Sequence, residues 1–409
     1  MDAIYQRCCG IDVHKKMIVA CLRVGSKQEI RTFGTSTEEL KAMAAWLLNA
    51  DCQMAAMEST GSYWKPVYNV LEVLGVDVIV VNAQHIKNVP GRKTDVKDSE
   101  WIAQLLQCGL LKASFIPSRE QRELRELARY RKCLVEERAR ELNRLGKTLE
   151  GANIKLTCVV TDINGATSRN LLDALTKGGV SEANIDGLLR GGLKSKRDAL
   201  LKACNGVLTP LQKKLISAIM DHIDDMTKRI KDIDDIIDDQ MNGYEKAIAA
   251  LEEIPGIGKQ SAQVILAEIG LDMSRFPTAG HLARWAGLAP GNHESAGKQK
   301  SGRTTKGNIT LKTTLILCAK TAKKKKGSFF KAQFDRLATR RGKNRAVVAV
   351  AHSMIIAIYN MLKLDVPFRD LGEDYYLQYN IDRRANYYLK QLAKLQGMGW
   401  GGVPTPTPA

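Results

Sequence analysis

Two acidic residues in apolar runs give the first indication of chemistry in this chain. Residues 8–13 form a short apolar run that predicts a buried strand, and Asp12 interrupts it. A lone carboxylate in a core strand costs free energy unless something binds it. Glu58 closes a second apolar run, residues 54–58. We expect His14 to point to the opposite face of its strand from Asp12 and to lie outside any ligand set.

Two more acids complete a set that suits one task. Asp95 and Asp98 are three residues apart at a predicted helix start, so both face one side of that helix. Four acids at strand ends and on one helix face would repel one another without cations. Mg²⁺, with Mn²⁺ as its substitute, is the natural partner of such an oxygen cluster, and two-metal sites serve in-line displacement at phosphorus. The set predicts phosphoryl transfer on nucleic acid, with phosphate contacts from the neighbouring Arg92, Lys93 and Lys97.

The charge of the chain indicates a polyanionic partner. Its 409 residues carry a net charge of +18 and a pI near 9.4. A hydrophobic share of 44% allows the cores of two or three domains. The charge favours nucleic acid over a membrane, the alternative being a merely basic soluble protein.

Cysteine usage and apolar runs favour a cytoplasmic protein. The nine Cys include no Cys-x-x-Cys pair, which argues against zinc sites and a disulfide framework. No basic-then-apolar signal segment opens the chain. The longest apolar stretch, residues 346–364, contains His352, Ser353 and Asn360, so we expect a buried helix and no membrane partner.

The elements that must position the acids follow a recognisable order. Three short strands are predicted before residue 34, then a helix to residue 49, a strand over 52–58, a helix over 61–74, a strand over 76–81, and a helix from Asp95. Strand–helix alternation after three strands predicts an α/β domain with a mixed five-stranded sheet. This order resembles the ribonuclease-H/RuvC-like nuclease fold, in which the acids lie on strand one, at the end of strand four and on a later helix.

The middle of the chain reads as helical. Residues 119–150 form a charged helix with a line of leucines, and their basic face either tracks a phosphate backbone or is simply solvated. Isoleucine and methionine residues repeat with heptad spacing over 216–237, the threshold for a coiled coil. That helix can pair within the chain, with the 119–150 helix, or between chains, and the sequence does not choose.

A glycine-containing turn precedes a helix near residue 260. In the segment from Ile254 to Lys259, a Pro-Gly-x-Gly turn exposes backbone N–H groups that can hold a phosphate, with Gly256, Gly258 and Lys259 as the contacts. It resembles the hairpin of helix-hairpin-helix elements. The alternative is an ordinary turn and helix cap.

A second glycine-rich segment runs from Trp285 to Asn308. It is rich in Gly, Ser and cations, with little means of packing a core of its own, and it suits close approach to a phosphate backbone. The cations predicted to make those contacts are Lys298, Lys300, Arg303 and Lys306. The tail after residue 396 is rich in Gly, Pro and Thr and is predicted to be disordered.

The four acids, the glycine turn and this segment, in this order, resemble the DEDD transposases of bacterial insertion sequences, the family numbered one hundred and ten. These are recombinases guided by a structured bridge RNA. The resemblance covers roughly residues 7–150 and 245–363. It implies a RuvC-like domain that binds Mg²⁺ through the four acids, and a transposase domain with a serine nucleophile. Position matching gives Ser295, and Ser301 is the competing candidate.

The resemblance also implies an organisation and partners. We predict a RuvC-like domain over 1–118, a helical coiled-coil region over 119–245, a mostly helical transposase domain over 246–372, and a helix with its tail over 373–409. The implied partners are double-stranded donor and target DNA and a structured non-coding guide RNA. A homo-oligomer is expected, a dimer or a tetramer in synapsis, with the 216–237 helix as the interface. The implied location is the bacterial cytoplasm, at the nucleoid.

Three functions remain open at this point. In the first, Ser295 attacks a DNA phosphodiester, and the acids and nearby cations stabilise the charge on the phosphate. In the second, the same acids activate water for RuvC-like hydrolysis and Ser295 only contacts phosphate. In the third, the protein is a nucleic-acid-binding scaffold without catalysis.

Overall fold

The computed structural model describes residues 4–59, 61–83, 86, 98–291, 293–295, 298–378 and 381–397. The chain forms two compact units, Met1–Arg119 and Glu120–Ala409. The finer division of the second unit into three parts stays a prediction. Four residues of the predicted sites lie outside the described residues: Arg92, Lys93, Asp95 and Lys97.

The N-terminal unit is built on a mixed five-stranded sheet with the order β3-β2-β1-β4-β5. The first three strands form an antiparallel meander, while β4 and β5 run parallel to β1. This is the topology of the ribonuclease-H/RuvC-like fold, so the predicted fold class is confirmed. The strands are β1 (Arg7–Val13), β2 (Ile18–Val24), β3 (Lys27–Phe33), β4 (Met54–Glu58) and β5 (Val78–Val81).

Helices cover both faces of this sheet, because alternate residues of β1 point to opposite sides. Cys9 and Ile11 belong to the core formed with α1 (Thr37–Asn49) and α2 (Trp64–Val73). Cys8 lies on the other side and belongs to the cluster that includes Trp101 of α3. Helix α3 spans Asp98–Gln107. Buried on both faces, β1 is the near-continuous apolar run seen in the sequence.

Two long helices organise the first part of the C-terminal unit. Three side-chain pairs join them, and their residue numbers rise on one helix as they fall on the other, so the helices are antiparallel. The helices are α4 (Arg119–Gly151) and α9 (Pro210–Gln240). The pairs are Arg131 with Asp234, Arg138 with Thr227 and Glu141 with His222. The connection contains α5 (Leu156–Val159), α6 (Ala166–Lys177), α7 (Ile185–Leu188), a 3₁₀ turn (Gly191–Lys196) and α8 (Arg197–Ala203).

The heptad stripe of α9 is buried inside the chain. Ile216, Ile223 and Met226 pack with Leu145 and Leu149 of α4 in one core. Of the pairings left open by the sequence, the structure shows the one with the 119–150 helix. The apolar stripe itself is covered within one chain, and the prediction that the 216–237 helix forms the interface between subunits stays a prediction for the rest of its surface.

The remaining elements build the second part of this unit. Helix α15 is long and apolar enough to cross a membrane, yet Val350, Met354 and Ile358 are buried in the fold. The predicted buried helix is therefore confirmed. The elements are α10 (Glu245–Glu252), α11 (Lys259–Ile269), a 3₁₀ turn (Met273–Arg275), α12 (Ala279–Trp285), β6 (His293–Ser295), β7 (Lys298–Ser301), α13 (Ile309–Ala322), α14 (Phe329–Arg341), α15 (Lys343–Leu364), α16 (Tyr375–Gln378) and α17 (Ile381–Gly397).

Candidate functional site

Asp12 and Glu58 lie at the carboxyl ends of two neighbouring parallel strands. Residue Ile11 of β1 pairs with Met57 of β4, so the next step of the register places Asp12 beside Glu58. Neighbouring strands lie about 4.8 Å apart. The Asp12 side chain is 19% exposed and Glu58 is half-buried, so both carboxylates are reachable from solvent.

Gly10 lets helix α3 lie directly on this face of the sheet. A Cβ atom at Gly10 would lie 2.2 Å from the Ser99 carbonyl oxygen and 2.3 Å from the Ala103 nitrogen. Gly10 and Asp12 are two residues apart and share a face. Asp98 immediately precedes Ser99 and is exposed, so α3 begins on the side of the sheet that carries Asp12. Three of the four predicted acids thus occupy the same face; the fourth, Asp95, lies outside the described residues.

His14 contacts Asp12 and was missed by the sequence reasoning. Its Nε2 lies 3.0 Å from Asp12 Oδ2, and the ring is 58% exposed. The prediction that His14 points away is wrong, because residues two apart follow the same face of an extended chain. The two-residue spacing between Asp12 and His14 was the feature of the sequence that could have predicted this contact. His14 holds one oxygen of the Asp12 carboxylate in place.

The donor chemistry of this face fits a hard divalent cation. Asp12, Glu58 and Asp98 offer carboxylate oxygens, the ligands that Mg²⁺ prefers. Within the described ranges, no three His, Cys, Asp or Glu side chains are grouped closely enough to hold a metal ion by themselves. Asp95, the fourth predicted ligand, lies outside those ranges.

Ser295 ends the first strand of a two-stranded hairpin. Strand β6 pairs antiparallel with β7, and Ser295 is opposite Lys298 at one end of the ladder. Ser301 pairs with His293 at the other end. The hairpin therefore separates the two candidate serines by its whole length.

Close backbone crossings hold the base of the hairpin. The Gly291 N–H donates to the Arg303 carbonyl oxygen at 2.8 Å, and the Thr305 N–H donates to the Ala289 carbonyl oxygen at 3.2 Å. Gly287 has φ +69°, and a Cβ at Gly307 would lie 2.3 Å from the Gly287 nitrogen. No larger residue fits this crossing, which explains Gly287 and Gly307. Lys306 is exposed beside it.

A buried carboxylate anchors the Trp285–Asn308 segment through Asn308. Glu268 of α11 is fully buried and accepts from Asn308 Nδ2 at 2.6 Å and from Arg129 Nη2 at 2.8 Å. Arg125 lies 3.4 Å from the same carboxylate and stacks over Trp285. Burial lowers the pKa of Arg125 to about 10, and the charge of Glu268 raises it in part. Asn308 also caps α13 through its side chain, so one residue ties the hairpin to two helices.

The glycine turn before α11 has packing partners of its own. A Cβ at Gly256 would lie 2.4 Å from the Cys318 carbonyl oxygen, so this glycine admits α13. Lys259 Nζ pairs with Asp238 Oδ2 at 2.8 Å. Gly258 borders open space. Gly256 and Lys259 thus act within the fold, and phosphate binding by this turn stays a prediction.

Comparisons with known proteins agree with both halves of this description. A DEDD transposase family model matches residues 9–154, and the model described as "Transposase IS116/IS110/IS902 family" matches residues 248–335. A probable family 20 transposase of Pseudomonas aeruginosa is 25% identical over 311 residues, 75% of this chain and 78% of its own length. A pilin gene-inverting protein of Moraxella bovis is 30% identical over 121 residues, 29% of this chain and 37% of its own.

Among solved structures, RuvC of T. thermophilus in complex with a Holliday junction substrate aligns at 14% identity with a TM-score of 0.21. It covers 27% of this chain and all of that one. The fold assignment rests on the strand order and the two family matches, which place one model on the acid-bearing unit and the other on the hairpin and its supports. This chain belongs to the IS116/IS110/IS902 family of transposases, and its N-terminal unit is RuvC-like.

Proposed function

We propose that this transposase cuts and rejoins DNA through a covalent phosphoserine at Ser295 during transposition of an insertion sequence. The observation that carries the proposal is the place of Ser295, at one end of the ladder of a hairpin whose base is fixed by the Gly287–Gly307 crossing. The hairpin sequence also carries Lys298 and Lys300. Cations beside a nucleophile stabilise the charge that develops on the attacked phosphate.

The reaction conserves bond energy. Ser295 Oγ forms a bond to the DNA phosphorus and loses its proton, while the bond from phosphorus to the 3′ oxygen breaks. The leaving oxygen takes up a proton and becomes a free 3′-hydroxyl. In the second step a 3′-hydroxyl from the exchanged strand attacks the phosphoserine, the serine oxygen leaves and is protonated again, and no nucleotide cofactor is consumed.

The acids of the N-terminal unit have a separate task. Enzymes with this fold depend on divalent metal ions, and Mg²⁺ is the proposed ion, with Mn²⁺ as a substitute. Bound there, it supplies charge neutralisation at the phosphate. Asp12, Glu58 and Asp98 would hold it together with Asp95, and the contact with His14 keeps the Asp12 carboxylate oriented.

The partners follow from the family and the charge. We propose double-stranded donor and target DNA as substrates, a structured guide RNA as the source of sequence choice, and a homo-oligomer in the bacterial cytoplasm at the nucleoid. Arg303 and Lys306 are proposed as further phosphate contacts at the base of the hairpin. With the stripe of α9 buried, a subunit interface must use another surface.

A denaturing gel tests the chemistry. The full-length protein is incubated with donor DNA, target DNA, the RNA flanking the element, and Mg²⁺. Wild type and Ser301→Ala should give a protein–DNA band that resists denaturation. Ser295→Ala, Asp12→Ala and chelation of the metal should abolish that band, and omission of the RNA should abolish it separately.

Two outcomes would contradict the proposal. Free nicked DNA that survives Ser295→Ala would mean metal-dependent hydrolysis, the second function considered above. A band that survives Ser295→Ala but disappears in Ser301→Ala would move the nucleophile to the other end of the hairpin. A band in wild type without RNA would remove the guide from the proposal and leave the serine chemistry intact.

A further inference from the structure

A large cavity of the C-terminal unit lies beside the base of the hairpin. Its volume is about 940 Å³, within the range of small-molecule sites. The hairpin side contributes Leu288, Pro290 and Arg303, and the helical side comes from α14 and α15. Of its lining residues, only Arg303 takes part in the function proposed above.

One face of α15 forms the helical wall. Arg345, Val348, Ala349 and His352 all line the cavity, and their spacing of three and four puts them on one side of the helix. This accounts for the polar residues that interrupt an otherwise apolar helix. Burial lowers the pKa of His352, so its ring stays neutral near pH 7 and presents one donor and one acceptor.

The cavity is positively charged. Arg303 and Arg345 line it, and no Asp or Glu occurs among the described residues of its wall. Arg345 is exposed and, in the described part of the chain, makes no ion pair. Guanidinium groups bind phosphate through paired N–H donors, which favours an anionic occupant carrying phosphate.

A hydrogen bond inside the cavity wall holds the Gln333 side chain. Gln333 Nε2 donates to Ser353 Oγ at 2.8 Å, and both residues line the cavity. The Gln333 amide is therefore a fixed part of the wall on which a ligand would lie.

We infer that this cavity binds one nucleotide of a DNA strand, with the phosphate at Arg303 and Arg345 and the base between the apolar wall and Gln333. Leu288, Val348 and Ala349 give a base an apolar surface, while the neutral His352 ring presents a donor and an acceptor to its edge. A nucleotide taken out of the stack and held by aromatic or apolar walls and edge hydrogen bonds is a known mode of DNA handling. The inference deepens the proposed function, on which the choice of DNA rests.

The hairpin connects this subsite to the serine. Arg303 is hydrogen-bonded to Gly291 at the base, and Ser295 is four residues further along. Four residues of chain span at most about 14 Å, so Ser295 lies within that distance of Gly291. A DNA strand whose phosphate reaches Ser295 therefore has a nucleotide within reach of the cavity, a few positions from the cut.

Binding of single nucleotides to the full chain tests the inference without the recombination reaction. Each of the four deoxynucleoside 5′-monophosphates is titrated and followed by saturation-transfer NMR, with the matching ribonucleotides and inorganic phosphate as separate probes. Arg345→Ala should raise the Kd by about tenfold, as expected for a charged hydrogen bond. Ala349→Phe, which fills the base position and keeps both arginines, should also abolish saturation of the base protons.

Arg341→Ala is the matched control, since Arg341 is an exposed arginine that ends α14 outside the cavity, and it should leave binding unchanged. Thermal melting shows that each variant is folded. Equal affinity for inorganic phosphate, or binding that is indifferent to Ala349→Phe, would overturn the nucleotide subsite. A preference for ribonucleotides would overturn its assignment to DNA. Absence of the covalent band in wild type would contradict the proposed serine chemistry. The nucleotide titration would still decide whether the subsite exists.

Discussion

At the scale of single residues, the glycine-rich segment contains two kinds of residue. Gly287, Gly307 and Asn308 act on the backbone and on the buried Glu268, so they shape the hairpin. Ser295, Lys298 and Lys300 of the same segment are the residues proposed above to act on DNA. Part of a segment that looked uniformly suited to phosphate contacts thus serves to hold the hairpin.

Removal of the Glu268 carboxylate should destabilise the C-terminal unit strongly. Glu268→Ala leaves the buried Arg125 without its anion, and loss of one partner of a buried ion pair costs about 3–5 kcal/mol. Chemical denaturation followed by circular dichroism measures the change. Glu136→Ala, an exposed position on α4, is the control and should stay within about 0.5 kcal/mol of wild type. A Glu268→Ala loss below about 1 kcal/mol would contradict the anchoring role.

At the scale of elements, the position of Asp98 depends on one contact between a helix and a strand. Helix α3 lies on β1 where Gly10 has no side chain, and Asp98 begins that helix. The two strands β1 and β4 bring Asp12 and Glu58 together through their register. The acids are therefore assembled by three elements that are distant in sequence, and a packing error in one of them disturbs the whole set.

Gly10→Ala should separate α3 from the sheet. The added methyl group would meet the Ser99 and Ala103 backbone at distances that cannot be accommodated, so the helix must shift. Overpacking of this kind costs about 1–3 kcal/mol, and the covalent protein–DNA band should fall along with stability. Gly187→Ala is the matched control, because a Cβ there meets open space. Unchanged stability and activity in Gly10→Ala would show that α3 does not need this contact.

At the scale of the whole molecule, the net charge of +18 sets the background affinity for nucleic acid. Some arginines on α4 form ion pairs within the chain, such as Arg131 with Asp234. The net charge therefore overstates the positive charge that a ligand would meet. The charge still favours nucleic acid as the partner, because a cationic surface that covers a duplex displaces its condensed counterions into solution.

Binding of a random-sequence 30-base-pair duplex should weaken steeply with salt. For about six to ten phosphate contacts, the affinity should fall by roughly 10³-fold or more between 50 and 200 mM salt. Lys298→Ala should lower the slope of log K against log salt by about 1. Lys41→Ala, an exposed lysine of α1, should leave it unchanged. Fluorescence anisotropy measures both, and an equal slope for Lys298→Ala and wild type would remove the hairpin lysine from the DNA contacts.

Much of the fold and part of the site could be predicted from local pattern. The period of apolar residues determined the strands and helices of the N-terminal unit, because burial on one or two faces leaves a direct mark on the sequence. Asp12 and Glu58 stood out for the same reason, as charges at the ends of apolar runs. The helix predicted from Asp95 is described from Asp98 onward, and the buried α15 was also predicted; the elements agree with the predictions to within a few residues at their ends.

Tertiary structure alone decided which distant residues meet. The sequence left the partner of α9 open, and packing in the C-terminal unit assigned it to α4. The sequence showed a glutamate in an apolar helix. It did not show that Glu268 pairs with Arg125, Arg129 and Asn308. The cavity of Arg303 and Arg345 likewise joins residues that are 42 positions apart. Local pattern records burial and conformation, whereas these contacts depend on how separate elements pack, which no single stretch of sequence contains.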